Sequence, residues 1–353
     1  MSSLTRYIFP ALLVFAPLTF FVEYTHAAPL LIFGFAALAI VPLAKYLGEA
    51  TEHLASHTTP ALGGFLNATF GNATELIIAL FALNAGLIGV VQASLTGSIV
   101  ANLLLVGGMA IFIGGWKREK QSFSQTGVLA TGITLVLSVV ALVIPAIFLQ
   151  TAPGVDPLVV EHLSIVVAIG MIFSYIASIY FTLHTHKHLY VEEIAQQYRA
   201  HWSVRKSLIV LIVSTGIVAF MSEILVGSIE PLIEAWGWTE LFIGVVVVAI
   251  IGNAAEHFSA VTVALKNRMD LALQISMGSA AQIAMFVAPV LVLVSLLFDQ
   301  HMHLVFNMFE VIAIVLSVLM ANLAVQDGES NWLEGLQLLV AYFIIAVAFF
   351  LHP

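Results

Sequence analysis

Cysteine is absent from the chain, so disulfides, thiolate metal sites and cysteine nucleophiles are excluded, while the redox compartment stays open. Charge is scarce: 9% of the 353 residues are Asp, Glu, Lys or Arg, against about 25% in soluble domains. The 11 Lys and Arg form no patch and the formal net charge is −9, so no nucleic-acid surface is expected. Alternating segments of about ten residues, the mark of a membrane β-barrel, are missing. So are an H-E-x-x-H metal motif, a nucleophile elbow and a nucleotide loop, which disfavours an intramembrane enzyme. The longest polar interval, 183–206, is too short to bury a core of its own.

What fills the chain instead is apolar sequence, 61% of it, in blocks of roughly 17–25 residues that suit a bilayer-crossing helix. Eleven spans are expected, near 7–22, 28–47, 60–84, 87–114, 126–149, 158–182, 206–229, 238–265, 270–297, 303–324 and 332–351. The class is an all-α polytopic membrane protein. With loops numbered alternately from the N-terminus, Arg6, Lys45, Lys117, Arg118, Lys120, Lys187, Arg199, Arg205, Lys206, Lys266 and Arg268 fall on one side. The other side holds Glu23, Asp156, Glu161, Glu230, Glu234, Glu240 and Asp299. The positive-inside rule then places the N-terminus in the cytoplasm and the C-terminus outside, as expected for an integral protein of a prokaryotic plasma membrane. Arg6, a short apolar run and Thr25-His26-Ala27 have the look of a signal peptide, but a retained helix is expected.

Two acidic motifs interrupt these apolar runs: Gly71-Asn72-Ala73-Thr74-Glu75 and Gly252-Asn253-Ala254-Ala255-Glu256. An ionisable residue within a span marks a functional site by default. The motifs lie 181 positions apart, and the same offset pairs Glu49 with Glu230, Gly63 with Gly244, Gly97 with Gly278 and Ser98 with Ser279. That offset covers five spans, an odd number, so the second copy crosses in the opposite direction. The expected organisation is one N-terminal helix (1–27) and two inverted five-helix repeats (28–183 and 206–353), joined by a cytoplasmic loop (184–205). Inverted repeats characterise secondary transporters, with the site at the repeat interface.

Asn and Glu, three apart in each motif, are expected on one helix face, with Gly71 and Gly252 allowing close approach or a backbone bend. Two carboxylates and two carboxamides make a hard, all-oxygen site that suits Ca²⁺. Two carboxylates in one desolvated cavity cannot both stay ionised cheaply without a cation, so the pair holds either a divalent ion or protons. Polar residues at helical spacing follow each motif: Gln92, Ser94, Ser98 and Asn102, then Gln274, Ser276, Ser279 and Gln282. Of these, Ser98, Asn102 and Gln282 are the stronger candidates to complete coordination. His257 is a candidate for proton coupling. Glu49, Glu52, Glu223 and Glu230 are candidates for the access routes, and Glu310 is a lone carboxylate in the tenth span. His184, His186 and His188 read as an interfacial anchor rather than a metal site.

The stretches GNATELI (71–77), GNAAEH (252–257), LHTHKHLY (183–190) and DGESNWLEGLQLLVAY (327–342) resemble the cation/proton exchangers of the wider Ca²⁺/cation antiporter superfamily. The Asn-Ala-x-Glu form resembles the proton-coupled branch rather than the sodium/calcium exchangers, whose motifs carry Pro near the acidic residue. The resemblance implies that Glu75 and Glu256 are the essential ion-binding carboxylates. It further implies that the third, fourth, eighth and ninth helices surround the site, and that the second and seventh slide as gates. The long acidic segment of some eukaryotic members is reduced here to Glu192-Glu193. The expected activity is exchange of cytoplasmic Ca²⁺ for external H⁺, with Ca²⁺ as substrate, no resident cofactor, and the lipid bilayer as surroundings; a homo-oligomer is compatible with the sequence. A Na⁺-coupled, Mn²⁺ or K⁺ exchanger is the same-class rival. A cation channel or a metal-dependent intramembrane hydrolase is the rival from another class.

Overall fold

The computed structural model describes residues 3–185 and 202–352, so His186, His188 and the Glu192-Glu193 pair lie outside the described residues. The described chain is helical apart from one two-stranded ribbon. In order come α1 (Ser3–Leu12), α2 (Phe15–Tyr24), α3 (Pro29–Ala55), α4 (Pro60–Phe70) and α5 (Ala73–Asn84). They are followed by α6 (Ile88–Gly115), α7 (Gln125–Thr151) and α8 (Pro157–Tyr180). The second half holds α9 (Val204–Gly227), α10 (Ile229–Trp236), α11 (Glu240–Gly252), α12 (Ala254–Leu265), α13 (Met269–Ser295), α14 (Met308–Ala324) and α15 (Trp332–Leu351).

Helix starts carry local chemistry that satisfies the first unpaired amides. Asp156 accepts from the Leu158 amide at 2.9 Å ahead of α8, and Ser203 caps α9. Asn307 with Glu310, and Asn331 with Glu334, form complete capping boxes on α14 and α15.

Eight helices are long and apolar enough to cross a membrane, or nine if α11 and α12, bent by 56° at their junction, count as one. The expected eleven is not reached among the described residues, for two local reasons. The 60–84 segment is broken at Gly71–Asn72 into α4 and α5. In 303–324 only Met308–Ala324 is helical, because its first residues form a buried loop. Lys45, near the end of the expected 28–47 span, lies well inside α3, which runs on to Ala55.

The central helices are α6 and α13: 78% and 67% of their apolar windows are buried, against 17% for α8 and α15 at the periphery. Both central helices contain a π-helical turn, at Ala101–Val106 and Ile283–Val287, and α11 contains a third at Ile243–Val248. α3 packs along α9, while α11 packs on α6 and α12 on α13.

An element that the apolar pattern does not signal joins several loops on the face where Lys and Arg gather, termed here the basic face. β1 (Gln121–Ser122) pairs antiparallel with β2 (Glu329–Ser330), Gln121 opposite Ser330. Beside it Lys120 pairs with Glu329 at 2.7 Å, which raises the pKa of the exposed ammonium. Asp270 accepts from the Ser124 amide, and Arg118 donates to the carbonyls of Gly114 and Leu265. On the opposite, acidic face, Gln92 of α6 donates to the carbonyls of His303 and Val305 at 2.9 and 3.1 Å, and His301 pairs with Glu161 at 3.3 Å. Loops that the charge pattern groups together therefore meet in space.

Candidate ion-binding site

Each acidic motif sits at a helix break, not within a continuous helix as expected. Asn72 (φ −106°, ψ 28°) separates α4 from α5, and Asn253 (φ −88°, ψ 12°) separates α11 from α12. Glu75 and Glu256 thereby fall in the first turn of a new helix. There the unpaired amides and the positive end of the helix dipole favour a negative charge.

Neither asparagine caps its own helix with its side chain. Both reach across to the other half of the chain. Asn72 donates to Gln282 Oε1 at 2.6 Å and accepts from Ser279 Oγ at 2.8 Å. Asn253 donates to Ser98 Oγ at 2.8 Å and accepts from Asn102 Nδ2 at 2.5 Å. Asn102 Nδ2 also reaches Ser279 Oγ at 3.3 Å, joining the two clusters into one network of six polar side chains. Each motif asparagine is held by one serine and one carboxamide of the opposite half of the chain.

Three acceptor oxygens at this centre have no hydrogen-bond partner among the described residues: Glu75 Oε1, Glu256 Oε2 and Asn102 Oδ1. Buried acceptors left open are costly and call for a ligand. A set made of oxygens alone suits a hard divalent cation or protons. The two carboxylates are close enough to interact electrostatically. No group of three His, Asp or Glu side chains converges among the described residues, and the polar groups nearest the carboxylates are amides and hydroxyls.

The motif glycines act differently from each other. A Cβ on Gly252 would press on Glu75 Cγ at 3.0 Å, so this glycine makes room for the opposite carboxylate. At Gly71 the nearest group from elsewhere is Gln282 Oε1, 3.6 Å from a Cβ.

Of the polar residues flanking the motifs, Ser98, Asn102, Ser279 and Gln282 converge here, while Gln92, Ser94, Gln274 and Ser276 do not. Gln92 clamps the acidic-face loop, Ser94 and Ser276 bond within their own helices, and Gln274 is exposed. Ser279 was absent from the stronger sequence candidates, although its offset from Ser98 signals it. His257 keeps Nε2 buried and unpartnered next to Glu256. His184 stacks on Tyr180, with ring centroids 5.1 Å apart.

The outlying carboxylates divide. Glu49 pairs with Lys45 at 2.7 Å, and Glu52 lies within electrostatic range of Glu49 and Glu256. Glu223 and Glu230 are exposed, on α9 and α10. Glu310 is 2% exposed; Oε2 accepts from the Asn307 amide at 3.0 Å and Oε1 from the Thr96 hydroxyl at 3.2 Å. It lines a cavity of about 490 Å³ with Gln92, Gln150 and Glu240, apart from the central network.

The twin glycine pairs break the symmetry. A Cβ on Gly97 would strike the Val245 backbone, and one on Gly244 would strike Ala93 Cβ and the Val90 carbonyl, so α6 and α11 are locked together. At the twin positions, Gly278 has nothing within 4 Å among the described residues, and the nearest neighbours of a Cβ on Gly63 are Ala55 at the end of α3 and Thr58 in the turn before α4. The acidic-face half of the site is closed by backbone contact; no corresponding basic-face contact is made at Gly278 among the described residues.

The family model for sodium/calcium exchanger protein matches residues 28–184 and 206–351. A Ca²⁺/H⁺ antiporter of Synechocystis sp. is 46% identical over 364 residues, covering 98% of each chain. A Ca²⁺/H⁺ antiporter of Bacillus subtilis is 46% identical over 340 residues, covering 95% of this chain and 96% of the relative. The crystal structure of the Ca²⁺/H⁺ antiporter protein YfkE superposes with a TM-score of 0.85 at 43% identity, over 98% of this chain and 99% of that one. Two broken helices with opposed acidic motifs and these similarities have one reading in common: the chain belongs to the sodium/calcium exchanger protein family.

Proposed function

We propose that this chain is a secondary antiporter of the plasma membrane that exchanges cytoplasmic Ca²⁺ for external H⁺ by alternating access. Glu75 and Glu256 hold either the divalent cation or protons, and Asn72, Asn253, Ser98, Asn102, Ser279 and Gln282 position them. The observation that carries this reading is the joint site: two carboxylates from opposed motifs, each with an unpartnered oxygen and each three residues beyond an asparagine of one network that joins the two halves of the chain. Protons and Ca²⁺ compete for the same oxygens, which is the least that obligatory exchange requires. A metal-dependent hydrolase reading finds no group of three His, Asp or Glu side chains at this centre among the described residues.

We infer that the conformation is the one open to the basic face. Gly97 and Gly244 seal the acidic half, while a Cβ on Gly278 would meet nothing within 4 Å among the described residues. With the basic face cytoplasmic, this is the state that loads Ca²⁺. Turnover then needs Gly63 and Gly278 to close as Gly97 and Gly244 part.

Vesicles carrying the purified chain test the reading. Ca²⁺ movement is expected to drive H⁺ in the opposite direction and to stop when the pH gradient is collapsed. Persistence of Ca²⁺ efflux that depends on Na⁺ instead would replace this reading with the sodium-coupled one.

A further inference from the structure

An ammonium group inside a span needs an explanation as much as a carboxylate does. Lys45 lies in α3 ten residues before the helix ends at Ala55. Its Nζ is 2.7 Å from Glu49 Oε1, and both side chains are partly buried. Lys45, Glu49 and Glu52 follow at helical spacing on one face of α3. Glu52 lies within electrostatic range of Glu256, and Glu256 within range of Glu75. The stripe therefore links the Lys45 pair to the central site.

The ammonium has a second partner. Nζ stands 4.6 Å from the centroid of the Phe9 ring, and Phe9 is 2% exposed. The Phe9 ring in turn meets Phe258 edge-on at 5.1 Å, two residues beyond Glu256. Phe9 belongs to α1, outside both repeats. An aromatic face attracts a cation without occupying a carboxylate, so Lys45 keeps a resting place when Glu49 is taken by another ion. The opposite repeat has no such device: at the 181-residue offset Glu49 has Glu230 as its twin, but Lys45 has the buried, apolar Val226.

We propose that the Lys45 ammonium is a built-in cation that occupies the Glu49 carboxylate in competition with the transported divalent ion on the basic-face route, with Phe9 as its alternative seat. This rests on the exchanger reading above. An arriving divalent ion displaces the ammonium toward the ring. Once that ion has moved on, Lys45 returns to Glu49, which lowers the affinity of that route for cations.

The test is Ca²⁺-driven H⁺ movement in vesicles with the basic face outward, measured as initial rate against external Ca²⁺. Lys45→Met is expected to lower the KM for Ca²⁺ about three- to fivefold, the equilibrium worth of a partly exposed ion pair, with kcat little changed. Lys45→Arg is expected to keep the wild-type KM. Phe9→Leu, which keeps bulk but removes the ring, is expected to raise the KM, because the displaced ammonium loses its seat. In a Glu49→Gln background Lys45→Met is expected to change nothing. An unchanged KM in Lys45→Met overturns the proposal, and so does the same fall in the Glu49→Gln background, which would mark a diffuse field rather than competition. Wild-type vesicles without Ca²⁺-driven H⁺ movement overturn this and the exchanger reading together; wild-type exchange with an unchanged Lys45→Met KM overturns the Lys45 proposal alone.

Discussion

Ser279 donates a 2.8 Å hydrogen bond to Asn72, and Asn253 donates one of 2.8 Å to Ser98, its counterpart in the other repeat. These two bonds run between the halves of the chain, so neither motif is complete without the other half. They also fix the asparagines at the helix breaks, and hence the glutamates in the turns that follow.

Glu75→Gln and Glu256→Gln are each expected to abolish exchange while the chain still folds. The amide keeps the shape and one acceptor oxygen but neither titrates nor offers a full negative charge to a cation. Transport in vesicles and thermal unfolding in detergent check this together. Normal exchange in either variant would remove the central site from the mechanism.

Ser98→Ala and Ser279→Ala are expected to behave alike. Each leaves a buried asparagine atom short of a partner, at a cost of about 1–3 kcal/mol. Part of that falls on stability and part on ion affinity, so both variants should show a lower Tm and a raised KM for Ca²⁺. A large effect from one serine and none from its twin would contradict the shared architecture.

Much of this site was legible in the sequence, because its parts repeat. A carboxylate in an apolar run is expensive, and the constant offset between Glu75 and Glu256 marks both as candidates without any structure. The same offset marks Ser279 as the twin of Ser98. The helix breaks were less legible: Gly-Asn is compatible with a continuous helix, and only the structure shows Asn72 and Asn253 leaving helical geometry. The break at Gly71–Asn72, with the loop that opens 303–324, is why eight or nine helices rather than eleven are long and apolar enough to cross on their own among the described residues. The second span is expected to end at 47 because the apolar run weakens there, while α3 continues through Glu49 and Glu52 to Ala55. Hydropathy measures where apolar sequence stops, whereas a helix stops where its backbone bonds do.

Glu310→Ala is expected to destabilise the protein by about 1–2 kcal/mol through loss of its capping box, while leaving exchange largely intact. The substitution strands the Asn307 amide and the Thr96 hydroxyl, both of which Glu310 satisfies. Thermal unfolding and the transport rate separate the outcomes. Loss of exchange at unchanged stability would instead place Glu310 on the acidic-face ion route.

The glycine twins offer the sharpest test of alternating access. A methyl group at Gly97 meets the Val245 backbone, which cannot move aside without parting α6 from α11. Gly97→Ala is therefore expected to destabilise the present conformation by about 1–3 kcal/mol, the usual cost of overpacking. Gly278→Ala meets open space here and is expected to leave Tm unchanged. Its effect appears only when the opposite state brings α4 against α13, so kcat should fall while KM for Ca²⁺ at the basic face holds. If Gly278→Ala turns over at the wild-type rate, the closing contact in the opposite state is made elsewhere and the two halves do not exchange roles at these glycines.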